Sequence, residues 1–219
     1  MKVIKYISIL LFTLLCGYIY GQNEVAIDPT AKSILDKASA KFNTEKGLSA
    51  NLLVTVENEQ KNKNENFKAS LLLKKDKFML DIAQVQTFYD GKTEYVYLKK
   101  EKEVNISEPQ KEDLEELNPI FLMNSYRNGY KMKFIGVKEI DGKSVDIIDL
   151  YPNDRSKQFS ILTIYIDKVS SMPVRFRAKG KNGINTIVKI ESYKNTSLDD
   201  KSFKFDFEKN KNIEVIDLR

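Results

Sequence analysis

One cysteine, no histidine, and many lysines and carboxylates are the groups that this 219-residue chain offers to chemistry. The cysteine, Cys16, stands in Leu14-Leu15-Cys16-Gly17-Tyr18. Two fates suit a cysteine there: acylation as a lipid anchor at the start of a mature chain, or removal with a leader. Lipoprotein processing wants a small residue immediately before the cysteine, because the peptidase must bind a slim backbone, and Leu15 is not small. Ordinary signal peptidase also cuts after small residues. Gly21 fits at −1 and Ile19 is tolerable at −3, which places the mature start at Gln22. Cys16 then leaves with the leader.

Without Cys16 the mature chain has neither thiol nor imidazole. That excludes Ser-His-Asp and Cys-His catalysis, disulfides and the ordinary zinc sites. Carboxylate, Lys, Arg, Tyr and hydroxyl chemistry remain. A glycosidase-like carboxylate pair is still open, although nothing singles out two of the acids. The expectation is a protein with no catalytic residues, no metal and no cofactor. The acidic run at residues 112–116 either faces a basic partner or favours the start of a helix.

The leader itself is legible. Lys2 and Lys5 form a positive n-region, and residues 7–15 form an apolar stretch too short to span a bilayer. Residues 1–21 are therefore expected to be a signal peptide, residues 22–219 one exported domain, and the periplasm its location. The formal charge of +5 is mild and interspersed. A nucleic-acid binder would gather its Lys and Arg on one face, so no nucleic acid is expected.

The elements that position these groups are mostly strands. Asp28-Pro29 is a helix start, with a capping carboxylate before a proline at the first helical position. Ile34, Leu35, Ala38 and Phe42 recur at helical spacing, and Gly47 ends the element. From Leu48 the period changes to two, as in half-buried antiparallel strands. Hairpin signals stand at Asp90-Gly91, Asp141-Gly142 and Asn182-Gly183. About eleven strands follow from this pattern.

One helical interruption begins near residue 112. Asn118-Pro119 opens a further helix over residues 120–128, with Gly129 as its stop. Phe121, Leu122 and Tyr126 make it apolar around most of its circumference. It is either a core helix or a lid over a ligand cavity. So many strands with so few helices imply a mainly β fold, a strongly curved antiparallel sheet or incomplete barrel, with helices covering its concave face. Alternation turns Leu52, Val54, Leu71, Leu73, Phe78 and Leu80 toward that face, as candidate walls of a lipid-binding cavity.

Several segments, in order, carry a resemblance. They are Gly47-Leu48-Ser49-Ala50, Leu71-Leu72-Leu73-Lys74-Lys75-Asp76-Lys77-Phe78, Tyr89-Asp90-Gly91-Lys92-Thr93-Glu94-Tyr95-Val96-Tyr97, and Asn118-Pro119-Ile120-Phe121-Leu122-Met123. Ile164-Tyr165-Ile166-Asp167, Met172-Pro173-Val174 and Leu198-Asp199-Asp200-Lys201-Ser202-Phe203-Lys204-Phe205 complete the order. Together they resemble the periplasmic outer-membrane lipoprotein carrier (LolA) family over essentially all of the mature region. The resemblance implies an unclosed barrel whose hydrophobic cavity shields the acyl chains of lipoproteins between inner and outer membranes. It also implies the partners: acylated lipoproteins, an inner-membrane lipoprotein-releasing ABC transporter and an outer-membrane acceptor, with the carrier itself a monomer. Burying a lipid chain is worth about 0.8 kcal/mol per CH₂, so an acylated protein needs such a shield to leave a bilayer.

The family's lid-holding arginine corresponds to Lys75, which keeps the charge without the planar fork. Lys75 is then either a lid latch or, with Lys74 and Lys77, part of a solvated hairpin tip. Two other roles share the fold. One is a LolB-like outer-membrane receptor, which would need an acylated cysteine. The other is a periplasmic lipid-binding sensor or regulator.

Overall fold

The computed structural model describes residues 27–42, 46–110, 114, 123, 126–127 and 129–219. The expected signal peptide, Cys16, Phe121 and Leu122 lie outside the described residues, as does most of the expected helix at 120–128.

The helix signalled by Asp28-Pro29 forms as α1 (Pro29–Phe42). Asp28 caps it: one carboxylate oxygen accepts from the Thr30 and Ala31 N–H groups at 2.8 and 3.2 Å. Its other oxygen accepts from the Phe134 N–H at 2.9 Å, so the same side chain docks α1 on the sheet. Ala31, Leu35, Ala38 and Phe42 form the buried stripe. Beyond α1 the chain turns at Gly47, whose φ of +121° suits glycine. A Cβ there would also lie 2.7 Å from the Leu198 side chain.

Among the described residues twelve strands form one unclosed sheet: β1 (Leu48–Asn58), β2 (Lys63–Lys74), β3 (Lys77–Ile82), β4 (Val85–Tyr89), β5 (Glu94–Leu98) and β6 (Glu103–Ser107). Then follow β7 (Tyr130–Ile140), β8 (Lys143–Pro152), β9 (Phe159–Asp167), β10 (Pro173–Gly180), β11 (Ile184–Asn195) and β12 (Glu214–Asp217). Their order is β12-β6-β5-β4-β3-β2-β1-β11-β10-β9-β8-β7, so β1 pairs with β11 at the centre and two antiparallel meanders spread outward. The first eleven strands are those that the period-two pattern predicts. Asp141-Gly142 makes its hairpin with both residues at positive φ, as the twist of the flanking strands requires.

β12 is the addition to the expected set. It pairs with β6 in parallel, Glu214 opposite Glu103 through Asp217 opposite Ile106. The chain reaches it by crossing the outer face of β3–β5 after a short 3₁₀ turn (Asp200–Phe203). Phe205 packs against Phe88 and Tyr97, and Phe207 against Tyr95. The outer face there is a second small core, with Phe203, Val104 and Ile106 buried beside these rings.

Candidate functional site

Register places the six strand residues proposed as cavity wall on one face. Leu52 stands opposite Ala69, Val54 opposite Phe67, and Leu71 is held between Ala50 and Leu80. Leu73 pairs with Phe78, whose ring packs 5.7 Å from that of Tyr89. This is the face on which Leu35, Ala38 and Phe42 of α1 rest. Ile148, Leu150, Leu162, Ile164, Phe176 and Val188 continue it through β8–β11.

Burial over this face is uneven. Leu48, Leu71, Leu73 and Phe78 are buried completely or nearly so. On β2 and β3, Phe67, Leu80 and Ile82 are only partly buried though packed against the same core. The apolar surface is therefore incompletely covered there. At its far end lies a hollow of about 230 Å³, lined by Val56, Ile184 and the polar Asn58, Lys61, Lys63 and Glu65. A Lys63–Glu65 ion pair of 2.6 Å borders it. That volume is below the ~300–1,000 Å³ of drug-sized sites, so the hollow is an edge of the concave face and too small for an acyl chain.

The second part of the site joins α1 to the segment before β7. Leu114, Met123 and Tyr126 are buried and belong to the same core cluster. The Tyr126 hydroxyl donates to Asp36 on α1. The Arg127 guanidinium donates to the same carboxylate oxygen at 2.8 and 3.1 Å, and Lys32 reaches the other oxygen at 2.6 Å. The guanidinium also lies 5.1 Å above the Tyr126 ring. The Lys32 hydrogen bond, then those from Tyr126 and Arg127, hold the Asp36 carboxyl down at about 2 against the opposing effect of desolvation. Burial first, and then the bond to Asp36, pushes the Tyr126 phenol well above its ordinary range.

Lys75 occupies the apex of the β2–β3 turn at a φ of +56° and is exposed. Its neighbours bind across the turn: Lys74 and Lys77 meet the Asp200 carboxylate at 2.9 and 2.7 Å, and Lys74 also reaches the Leu198 carbonyl at 2.8 Å. These bonds fasten the chain after β11 to the β2–β3 hairpin. Of the expected lid residues, Tyr126 is the described one, and it is fully buried. Sequence reading missed Asp36 altogether. Its place on the polar side of α1 marks it only as one more charged helix residue, because its partners lie some 90 positions away.

Comparison with known proteins agrees with this architecture. A curated but uncharacterized protein of Methanocaldococcus jannaschii is 24% identical over 207 residues, 92% of this chain, and the chain spans 58% of that protein's length. The crystal structure of an uncharacterized conserved protein from Thermus thermophilus is similar at a TM-score of 0.60 and 17% identity, over 86% of this chain and 99% of the other. At such identity the likeness speaks for the fold alone. A LolA superfamily protein from Nitrosomonas europaea matches at a TM-score of 0.43 and 12% identity, over 80% of this chain and 97% of its own. The model of the family described as outer membrane lipoprotein carrier protein LolA matches residues 25–181, a span that holds α1, the Asp36 cluster and the concave faces of β1–β10. The chain therefore belongs to the outer membrane lipoprotein carrier protein (LolA) family.

Proposed function

We propose that this protein is a periplasmic carrier that takes up the acyl chains of lipoproteins on its concave face and delivers them from the inner to the outer membrane. The observation that carries this is the incomplete burial of apolar side chains on the concave face, Phe67, Leu80 and Ile82. A purely structural sheet would gain by covering those side chains. A carrier needs them available, because each CH₂ of its cargo returns about 0.8 kcal/mol when it leaves water. In this account the work is binding, not catalysis, and the cargo exchanges with an inner-membrane ABC transporter and an outer-membrane acceptor. Family membership supports it.

Titration with an environment-sensitive fatty-acid probe tests it. Saturable binding is expected, displaced by an acylated lipoprotein and not by the same protein without its lipid. A folded, delipidated protein that binds neither probe nor lipoprotein would overturn the carrier assignment.

A further inference from the structure

We propose that one rim of the half-barrel, bearing the C-terminal end of α1 and the β2–β3, β4–β5 and β9–β10 turns, docks on an anionic bilayer surface. The rim is one connected surface. Lys41 at the end of α1 donates to the Ser170 carbonyl of the β9–β10 turn at 2.7 Å. Thr196 and Leu198 bond the backbone of Gly47 and Lys46 at 3.0 and 3.1 Å. Asp200 binds Lys74 and Lys77 beside the β2–β3 turn, and Lys204 pairs with Asp90 of the β4–β5 turn at 3.3 Å.

Charges on this rim differ in exposure. Three of its aspartates accept from the backbone of their own turns. Asp90 accepts from the Lys92 and Thr93 N–H groups at 3.1 and 2.9 Å, Asp167 from Val169 and Ser170 at 2.8 and 3.0 Å, and Asp199 from Lys201 at 2.9 Å. The side chains of Asp90 and Asp167 are only 13% and 10% exposed, whereas that of Lys92 is 77% exposed. Lys46, Lys168 and Lys201 likewise face solvent. Asp76, Glu108, Asp199 and Asp200 are exposed as well, but among the described residues of the rim the exposed Lys41, Lys46, Lys75, Lys92, Lys168, Lys201 and Lys204 outnumber them, so the outermost layer is net cationic. Such a layer is drawn to anionic headgroups within a Debye length.

Two features favour a bilayer over an acidic protein. The cations named are lysines, point charges without the fork that recognises a particular carboxylate, so they suit a diffuse field. At the apex beside Lys168 stands Val169, 91% exposed, the most exposed large apolar side chain among the described residues. One exposed valine is ordinary. Set among lysines at the tip of a turn, it is placed to enter the headgroup layer as the charges settle.

Co-sedimentation with vesicles tests the proposal and does not depend on acyl-chain binding, so its failure is separate from failure of the carrier assignment. The wild-type chain should bind phosphatidylglycerol–phosphatidylcholine vesicles at low salt, release them at high salt, and ignore pure phosphatidylcholine. Lys92→Glu/Lys168→Glu/Lys201→Glu should weaken binding about tenfold or more, while Lys61→Glu/Lys100→Glu/Lys181→Glu on the opposite rim should weaken it far less. Val169→Asp, at a site too exposed to disturb folding, should weaken it as well. Equal losses from the two triple variants, or no anion-dependent binding by the wild type, would overturn the proposal. So would full competition by soluble polyglutamate with no effect of Val169→Asp, which would assign the rim to an acidic protein.

Discussion

Tyr126 is fully buried, and its hydroxyl ends on the carboxylate of Asp36, which sits on the partly exposed side of α1. The phenol is thus the buried end of a cluster whose outer members, Lys32 and Arg127, remain in contact with water. A buried hydroxyl without a partner is costly, so the bond fixes where the 126–127 turn meets the helix. Tyr126→Phe should destabilise the protein by about 1.5–3 kcal/mol, the usual worth of a hydrogen bond to a charged group. Asp36→Ala should cost at least as much, since it strands the phenol. Urea unfolding of both single variants and the double variant should give a double-mutant coupling above about 0.5 kcal/mol, as expected for residues in contact.

The same cluster makes stability depend on pH in a defined direction. Asp36 is held at about 2 in the folded protein, below the ordinary value of 3.8. The unfolded chain therefore binds the proton first, and the contribution of the cluster is complete above the unfolded pKa. It fades as pH falls from about 5 toward the folded pKa. Asp36→Asn has no carboxyl to titrate. The gap between wild type and this variant in urea midpoint should stay constant from neutral pH to about pH 5 and narrow below it. A gap that widens on acidification would contradict the assignment.

How much of this was legible in the sequence depended on whether a face was buried. β1–β4 and β7–β11 each press one side on the main core and β5–β6 on the small outer one, so alternation marks them, and turns such as Asp141-Gly142 punctuate them. β12 carries no such mark. Its four residues, Glu214-Val215-Ile216-Asp217, set two apolar side chains next to each other with Val215 exposed, and its partner β6 lies more than a hundred positions earlier. Phe203, Phe205 and Phe207 do alternate, as a strand would, yet they form a 3₁₀ turn and a strap. Phe203 and Phe205 are buried and Phe207 is exposed, a difference that the alternation does not mark. The Asp36 cluster was invisible for a different reason: polar contacts between distant segments have no period.

The strap across the outer face is expected to be structural. Phe205 is nearly buried between Phe88, Tyr97 and Phe207. Phe205→Ala should cost about 3–5 kcal/mol, the range for a large aromatic lost from a core. Binding of a fatty-acid probe at temperatures where the variant is folded should be unchanged, because the concave face is on the other side of the sheet.

Removal of the expected leader at Gly21 would leave a mature chain without cysteine. Intact-mass measurement of the exported protein should give an unmodified species starting near Gln22. A species starting at Cys16 with added acyl mass would move the protein to the membrane-anchored receptor class.

Burial on the concave face differs between neighbouring residues of paired strands. Leu71 and Leu80 are cross-strand neighbours on one face, yet Leu71 is fully buried and Leu80 only partly. Leu71→Ala removes contacts on all sides and should cost about 2–5 kcal/mol, with little change in probe affinity once the protein is folded. Leu80→Ala and Phe67→Ala lose less on folding, because part of each side chain already meets solvent. If cargo covers that remaining surface, these two should weaken binding of the fatty-acid probe by more than they weaken the fold. Urea midpoints and probe titrations on the three variants decide it. Should affinity track stability in all three, the partly covered residues would be loose core, and the acyl chains would have to lie elsewhere on the sheet.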